Sequence, residues 1–204
     1  MNIKNILLIG AIAATSSLTA LAQNAETGRP YVKAHVGLTK AQNIVDVNPF
    51  RYKSNPTIMG AIALGYNIKN NLRADIGLDY YPHLKFSTDN SNAKIDAKLK
   101  TSSLLVNFYM DVAEINRYKF FVGAGAGSSR FSVKVQVTDK ISNQTFPIKY
   151  VERDIFAYGL YAGTHYEYAP GIHGELVYAY KDLGTIGTSK LKLHNITTGI
   201  RFDL

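Results

Sequence analysis

Between Leu72 and Tyr80 the chain reads LRADIGLDY, so that Leu72, Ala74, Ile76, Leu78 and Tyr80 alternate with Arg73, Asp75, Gly77 and Asp79. Alternation sustained over such a length is the pattern of a β-strand with one apolar face. Comparable segments recur near 30–38, 57–66, 71–81, 100–110, 117–127, 154–165, 171–180 and 191–204. Bounded by Gly, Pro, Asn and Asp, they predict eight strands and an all-β chain. The last segment, HNITTGIRFDL, alternates through Ile196, Thr198, Ile200, Phe202 and Leu204 to the final residue. That is expected of a strand that must close against the first one.

The connections differ in kind. After the first, third and fifth strands come TKAQNIVDVNPFRYKSNP, PHLKFSTDNSNAKIDAK and SSRFSVKVQVTDKISNQTFPIKYVER, whereas NIKN, DVAEIN and EYAP are tight. Long structureless connections are uncommon in compact domains. Long excursions at one end and short turns at the other are the layout of a membrane barrel. The expectation is an eight-stranded antiparallel up-and-down transmembrane β-barrel, with short periplasmic turns and long extracellular loops. Phe131, Val133, Val135 and Val137 alternate within the third excursion. It should therefore prolong strands five and six beyond the bilayer as a hairpin.

The two faces settle which side meets lipid. One carries Val32, Ala34, Val36, Ile62, Leu64, Leu104, Val106, Phe108, Phe120, Val122, Phe156, Leu160 and Leu176; the other collects glycine, alanine and charge. The second face is a poor hydrophobic core, but it suits an eight-stranded lumen, which side chains only just fill. Lys33, Arg73, Lys119 and Arg201 balance Asp75, Asp79, Glu175 and Asp203 there. Buried charges persist only when paired. The expectation is a salt-bridge network plugging the lumen, with Lys33 near Asp203 where the first and last strands meet. Tyr66, Tyr80, Tyr81, Tyr109, Tyr118, Tyr166, Tyr168, Tyr178 and Tyr180 cluster toward strand ends, as interface girdles require.

The amino end adds an address. MNIKNILLIGAIAATSSLTALA has a lysine, an apolar run from Ile6 to about Leu18 and Ala20-Leu21-Ala22. These are the parts of a secretory signal peptide, and the run is shorter than the roughly 20 residues of a spanning helix. Residues 1–22 are expected to be cleaved, leaving a barrel domain over 23–204. The chain has no cysteine, which excludes zinc-thiolate and cysteine-nucleophile chemistry. Its formal net charge is +8, of which Lys4 belongs to the leader. The remaining excess lies in the three long connections and in the fourth at the same end, where Lys181, Lys190 and Lys192 face Asp182, about +2 in each by formal count, and concentrates a positive field on one rim. In the third, Arg130, Lys134, Lys140, Lys149 and Arg153 form the candidate surface-binding loop.

GYNIKNNLRADIGLDYY, HYEYAPGIHGELVYAY and TGIRFDL, in this order and spacing, resemble the hairpins and closing strand of the opacity and surface-antigen family of small outer-membrane barrels, which is related to the OmpA transmembrane domain. The resemblance covers essentially all of the chain after the leader. It implies a monomeric outer-membrane protein of a Gram-negative bacterium, displayed at the surface, with an adhesive role in some members. It also implies that Thr198, Gly199, Phe202 and Leu204 form a signal read by the barrel-assembly machinery; the final Leu departs from the commoner aromatic residue. Outer-membrane lipid and lipopolysaccharide are the expected surroundings, with host-surface glycans or proteins as candidate loop partners.

Chemical motifs are weak. FFVGAGAGSSR lacks the GK[ST] of a phosphate loop, and its glycines repeat with strand period. His165 and His173 should face each other in the lumen if the hairpin centres near Ala169, but no third histidine is near in sequence to complete a metal site. His194 is followed two positions later by Ile196, where the histidine-serine pair of a lipid-modifying barrel needs a hydroxyl. Neither enzyme activity, cofactor, metal nor nucleic-acid partner is expected. A surface-displayed structural or adhesive barrel is the leading reading. A small porin-like channel is the alternative, and an outer-membrane lipid-modifying enzyme the second alternative.

Overall fold

In a computed structural model the described residues are 28–42, 44–47, 50–69, 71–89, 93–139, 145–186 and 189–204. The expected leader and Lys140 lie outside them. The strands are β1 (Pro30–Ala41), β2 (Ile44–Val47), β3 (Phe50–Ser54), β4 (Thr57–Lys69), β5 (Leu72–Asp89), β6 (Ala93–Ile115), β7 (Tyr118–Asp139), β8 (Thr145–Ala169), β9 (Ile172–Ile186) and β10 (Ser189–Asp203). All except β2 and β3 are staves of one closed antiparallel barrel, and β1 pairs with β10 from Tyr31↔Asp203 to Ala41↔Leu193. No backbone edge is left open to lipid along that seam, as a spanning sheet requires.

Local chemistry sets the turns. Asn116 adopts φ 57° between β6 and β7, the positive dihedral that a two-residue hairpin demands. Pro170 precedes Gly171 at φ 76° between β8 and β9, the pairing a type II turn favours. Register sets the tilt. Directly paired residues run from Tyr31 through Gly65, Asp75, Asn107, Gly125, Gly159, Lys181 and Leu193 back to Ala41, ten positions above the start. With eight staves this stagger implies a strand tilt of roughly 40–45°.

Orientation follows the alternation. Val36, Ile76 and Phe108 are 56%, 54% and 54% exposed, while Arg73, Asp75 and Glu175 are buried. An apolar outer wall around a charged centre is a membrane barrel, not a soluble one.

Four features depart from the sequence reading. The second excursion, like the third, is built from strand: β5 and β6 stay paired from Leu84↔Leu99 to Asp89↔Lys94, and β7 and β8 from Phe131↔Glu152 to Thr138↔Thr145. The first excursion contains β2 and β3, and β3 pairs with β5. The inner face also holds an apolar cluster toward the long-connection end, formed by Met59, Tyr81, Leu84, Leu99, Leu105, Phe131, Leu183, Leu191 and Leu193. A register shift between Tyr81 and Leu84 turns Leu84 inward and breaks the parity on which a sequence reading relies. Lastly, Tyr81 and Tyr109 point into the lumen instead of joining an outer girdle, because successive residues in a strand face opposite ways and the outward places are taken by Tyr80 and by Phe108 and Met110.

Candidate functional site

Toward the tight-turn end the lumen is ionic. Lys33 Nζ lies 2.6 Å from Asp75 Oδ2 and donates to the Tyr109 hydroxyl at 3.2 Å. Arg201 bridges Glu175 (3.2 Å) and Asp203 (3.0 Å), and His35 Nε2 stands 3.0 Å from the other Glu175 oxygen. Arg73 reaches Asp111 at 3.3 Å and lies over the Phe121 ring, 4.4 Å from its centre. Higher up, Lys181 Nζ meets Asp79 at 2.6 Å, and Ser103 donates to the same carboxylate at 2.7 Å. Asn107 joins the layers: its amide donates to Asp75 at 2.7 Å and its oxygen accepts from Tyr161 at 2.8 Å.

Glycine makes room for these groups. A methyl at Gly125 would overlap the Asn107 side chain, one at Gly123 the Tyr109 ring and one at Gly163 the Phe121 ring. Between the ion pairs remains a cavity of about 40 Å³ lined by Lys33, His35, Asp79, Asn107, Lys181 and Asn195. That holds a water or two.

Some expected pairings are replaced by others. Lys33 turns to Asp75 and not to Asp203: Lys33 sits opposite Arg201 in the β1–β10 register, so the guanidinium takes Asp203 and leaves Lys33 to the carboxylate on β5. Lys119 is partly exposed beside Glu114, 3.8 Å away across the tight β6–β7 turn, and not within the central network. His165 pairs in register with Glu175, and His173 with Glu167, because the β8–β9 turn centres on Pro170 and Gly171 and not on Ala169, and the one-residue register shift between Glu167 and Ala169 offsets only part of that displacement. The two imidazoles still meet edge to face at 5.4 Å, with His165 3.3 Å from Asp111 and His173 3.1 Å from Asp203.

Sequence reasoning missed Asp111 and Lys181, assigning the first to a turn and the second to a loop. Both continue the inward parity of their strands, through Asn107 and Tyr109 and through Val177 and Ala179. Extending each strand until its parity broke would have found them. Among the described residues, four lysines and arginines (Lys33, Arg73, Lys181, Arg201) then face five carboxylates (Asp75, Asp79, Asp111, Glu175, Asp203), and three histidines each abut one carboxylate.

At the rim, Arg130 pairs with Asp154 at 3.4 Å in the open. Lys134 and Lys149 stand opposite each other on β7 and β8, and Arg153 follows on β8. At the other end of the sheet Thr198 donates to the Glu175 carbonyl at 3.2 Å, the His35 ring and the Ala34 carbonyl occupy the space a side chain at Gly199 would take, and Phe202 and Leu204 point outward.

A closed antiparallel eight-stave barrel with an apolar exterior and a charged interior is an outer-membrane barrel. Residues 10–202 match the family described as outer membrane protein beta-barrel domain, and the chain belongs to it. A Rickettsia conorii protein named "Putative adhesin" is 35% identical over 74% of this chain and 70% of its own length. A "Putative adhesin" of Rickettsia bellii is 28% identical over 98% of this chain and all of its own. In fold the chain is similar to Neisserial surface protein A (TM-score 0.63, 20% identity, 88% of this chain and 100% of that one). It is also similar to the outer membrane protein OprG of Pseudomonas aeruginosa (TM-score 0.51, 10% identity, 87% and 97%). The resemblance to small outer-membrane barrels and the outer-membrane location are thereby shown.

Proposed function

We propose that this barrel is a display scaffold: its lumen is a plug, its long-strand end faces outward, and its function is binding at that end. The observation that carries the reading is the contrast between the two ends of β5–β8. These strands stay paired well past the outer apolar belt at one end and turn tightly at the other. Long extracellular and short periplasmic connections are the rule for such barrels. A raised, paired sheet above a filled lumen suits presentation of a surface, while a conduit would need an open bore. The relatives' names lend adhesion a place in this reading, with an acidic or sulfated host-surface partner matching the basic third connection: Arg130, Lys134, Lys140, Lys149 and Arg153. Catalysis has no part in it. The barrel-assembly machinery is the partner proposed for Thr198, Gly199, Phe202 and Leu204, which lie on the seam strand β10 and, for Leu204, just beyond it.

Whole cells displaying the protein should bind host cells or immobilised heparin, and replacing residues 133–150 by a short turn should abolish that binding while leaving heat-modifiable gel mobility intact. Undiminished binding would defeat the adhesive part. In planar bilayers the refolded chain should give no steady openings; porin-sized conductance would defeat the plug and favour the solute channel.

A further inference from the structure

Around the outer wall, the boundary where apolar side chains give way to polar ones is uneven in charge. On β7 the outward Arg130 is matched by Asp154 at 3.4 Å. On the opposite wall, β1 brings Lys40 and β10 brings His194, Lys192 and Lys190 to the outer face. Lys40 is directly opposite His194 in the β1–β10 pairing, and Lys192 lies two positions along β10 on the same side. Directly opposed side chains of an antiparallel pair stand about 5 Å apart, so the two ammonium groups can reach one ligand over the imidazole.

The imidazole is held. Tyr178 Oη lies 2.7 Å from His194 Nδ1, and the Tyr180 ring meets the imidazole edge to face at 5.5 Å. Asp182, opposite Lys192, is largely withdrawn, its carboxylate accepting the Gly184 amide at 3.0 Å and its residue only 8% exposed. Immediately below, Leu38 and Ile196, 56% and 61% exposed, pair with each other and begin the apolar belt. Cations and tyrosines at headgroup depth over an apolar strip match one kind of molecule, a phosphorylated lipid standing in the leaflet.

We infer that the Lys40–Lys192–His194 cluster is a binding site for the phosphorylated glycolipid of the outer leaflet, a lipid A phosphate seated on the two lysines with acyl chains along Leu38 and Ile196. The inference rests on the orientation given under Proposed function, since only the outward-facing end meets that leaflet. Such a site tethers the low wall of the barrel to the lipopolysaccharide layer and orients the basic connections above it.

The test uses the full-length refolded protein in detergent micelles. Retention of lipid A is read by native mass spectrometry, with phosphate-free lipid A of the same acyl chains as the second probe. Wild type should retain the phosphorylated probe, and Lys40→Gln/Lys192→Gln should weaken it roughly tenfold or more, at about 1 kcal/mol for each lysine near an anionic surface. The phosphate-free probe should bind wild type as weakly as the phosphorylated one binds the variant. Equal retention by wild type and variant, or equal retention of the two probes by wild type, overturns the inference. Tyr178→Phe, which keeps both lysines, should weaken binding less than the double variant; an equal or greater loss would also count against a phosphate seated on them. Orientation is tested separately with Thr185→Cys, an exposed position in a chain without native cysteine, labelled on intact cells with an impermeant maleimide. No labelling refutes the orientation, whatever the micelle result.

Discussion

Removing the Asp79 carboxylate measures how dry the lumen is. Lys181 Nζ lies 2.6 Å from Asp79 Oδ2, Ser103 donates to the same oxygen, and both charged side chains are under one-tenth exposed. At that separation and an effective dielectric constant of about 20, the Coulomb attraction is roughly 6 kcal/mol, against about 1.6 kcal/mol in water. Desolvation offsets much of the larger figure, but Asp79→Ala strands an ammonium group and a hydroxyl that have given up their water. The expected net loss is about 3–5 kcal/mol. Asp79→Leu/Lys181→Met, which removes both charges and keeps the volume, should return to within about 1 kcal/mol of wild type or exceed it. Urea unfolding of the barrel in lipid vesicles, followed by circular dichroism and heat-modifiable gel mobility, gives the free energies. If Asp79→Ala alone costs less than about 1 kcal/mol, the pair behaves as a solvated surface pair, and the filled-lumen argument fails.

Two further substitutions probe the rest of the interior. Phe131→Ala, at a side chain with no exposed surface in the apolar cluster, should cost about 3–5 kcal/mol in the same assay and leave the ionic layers folded; a loss under about 1 kcal/mol would mean that the cluster does not hold the raised strands. Gly125→Val places a branched side chain where the Asn107 amide and the Val106 carbonyl already sit, so the fraction of chain that refolds to the heat-modifiable form should fall sharply. Wild-type yield from this variant would show that the lumen has slack.

Much of this was legible in the alternation, and the failures have identifiable causes. Val36, Leu64, Ile76 and Phe108 face out, and Arg73, Asp75 and Glu175 face in, as period two alone dictates. Which carboxylate each cation would choose was not legible. It depends on the ten-residue stagger, which sets Lys33 beside Arg201 and sends it to Asp75. Stagger accumulates around the ring from pairings remote in sequence, and a single register shift changes it. The shift at Tyr81/Leu84 carries no mark that period counting could detect, and the pairing of His165 and His173 turned on the β8–β9 turn lying at Pro170 and Gly171 and not at Ala169. The apolar cluster was missed for a related reason. Some of its members, Leu84 and Leu99 among them, come from strand segments beyond the belt, where they stand among polar residues and read as loop.

The claim beneath all of this is that one face of each stave touches lipid and the other touches only protein. The chain has no cysteine, so single cysteines can be placed along β6 from Leu104 to Phe108 and spin-labelled in reconstituted vesicles. Labels at Leu104, Val106 and Phe108 should be relaxed by oxygen, which concentrates in hydrocarbon, and shielded from a water-soluble nickel chelate, while Leu105 and Asn107 should be immobile and shielded from both. Nickel access at Leu105 and Asn107 would reveal a water-filled bore, and nickel access at Leu104, Val106 and Phe108 a barrel that stands in water.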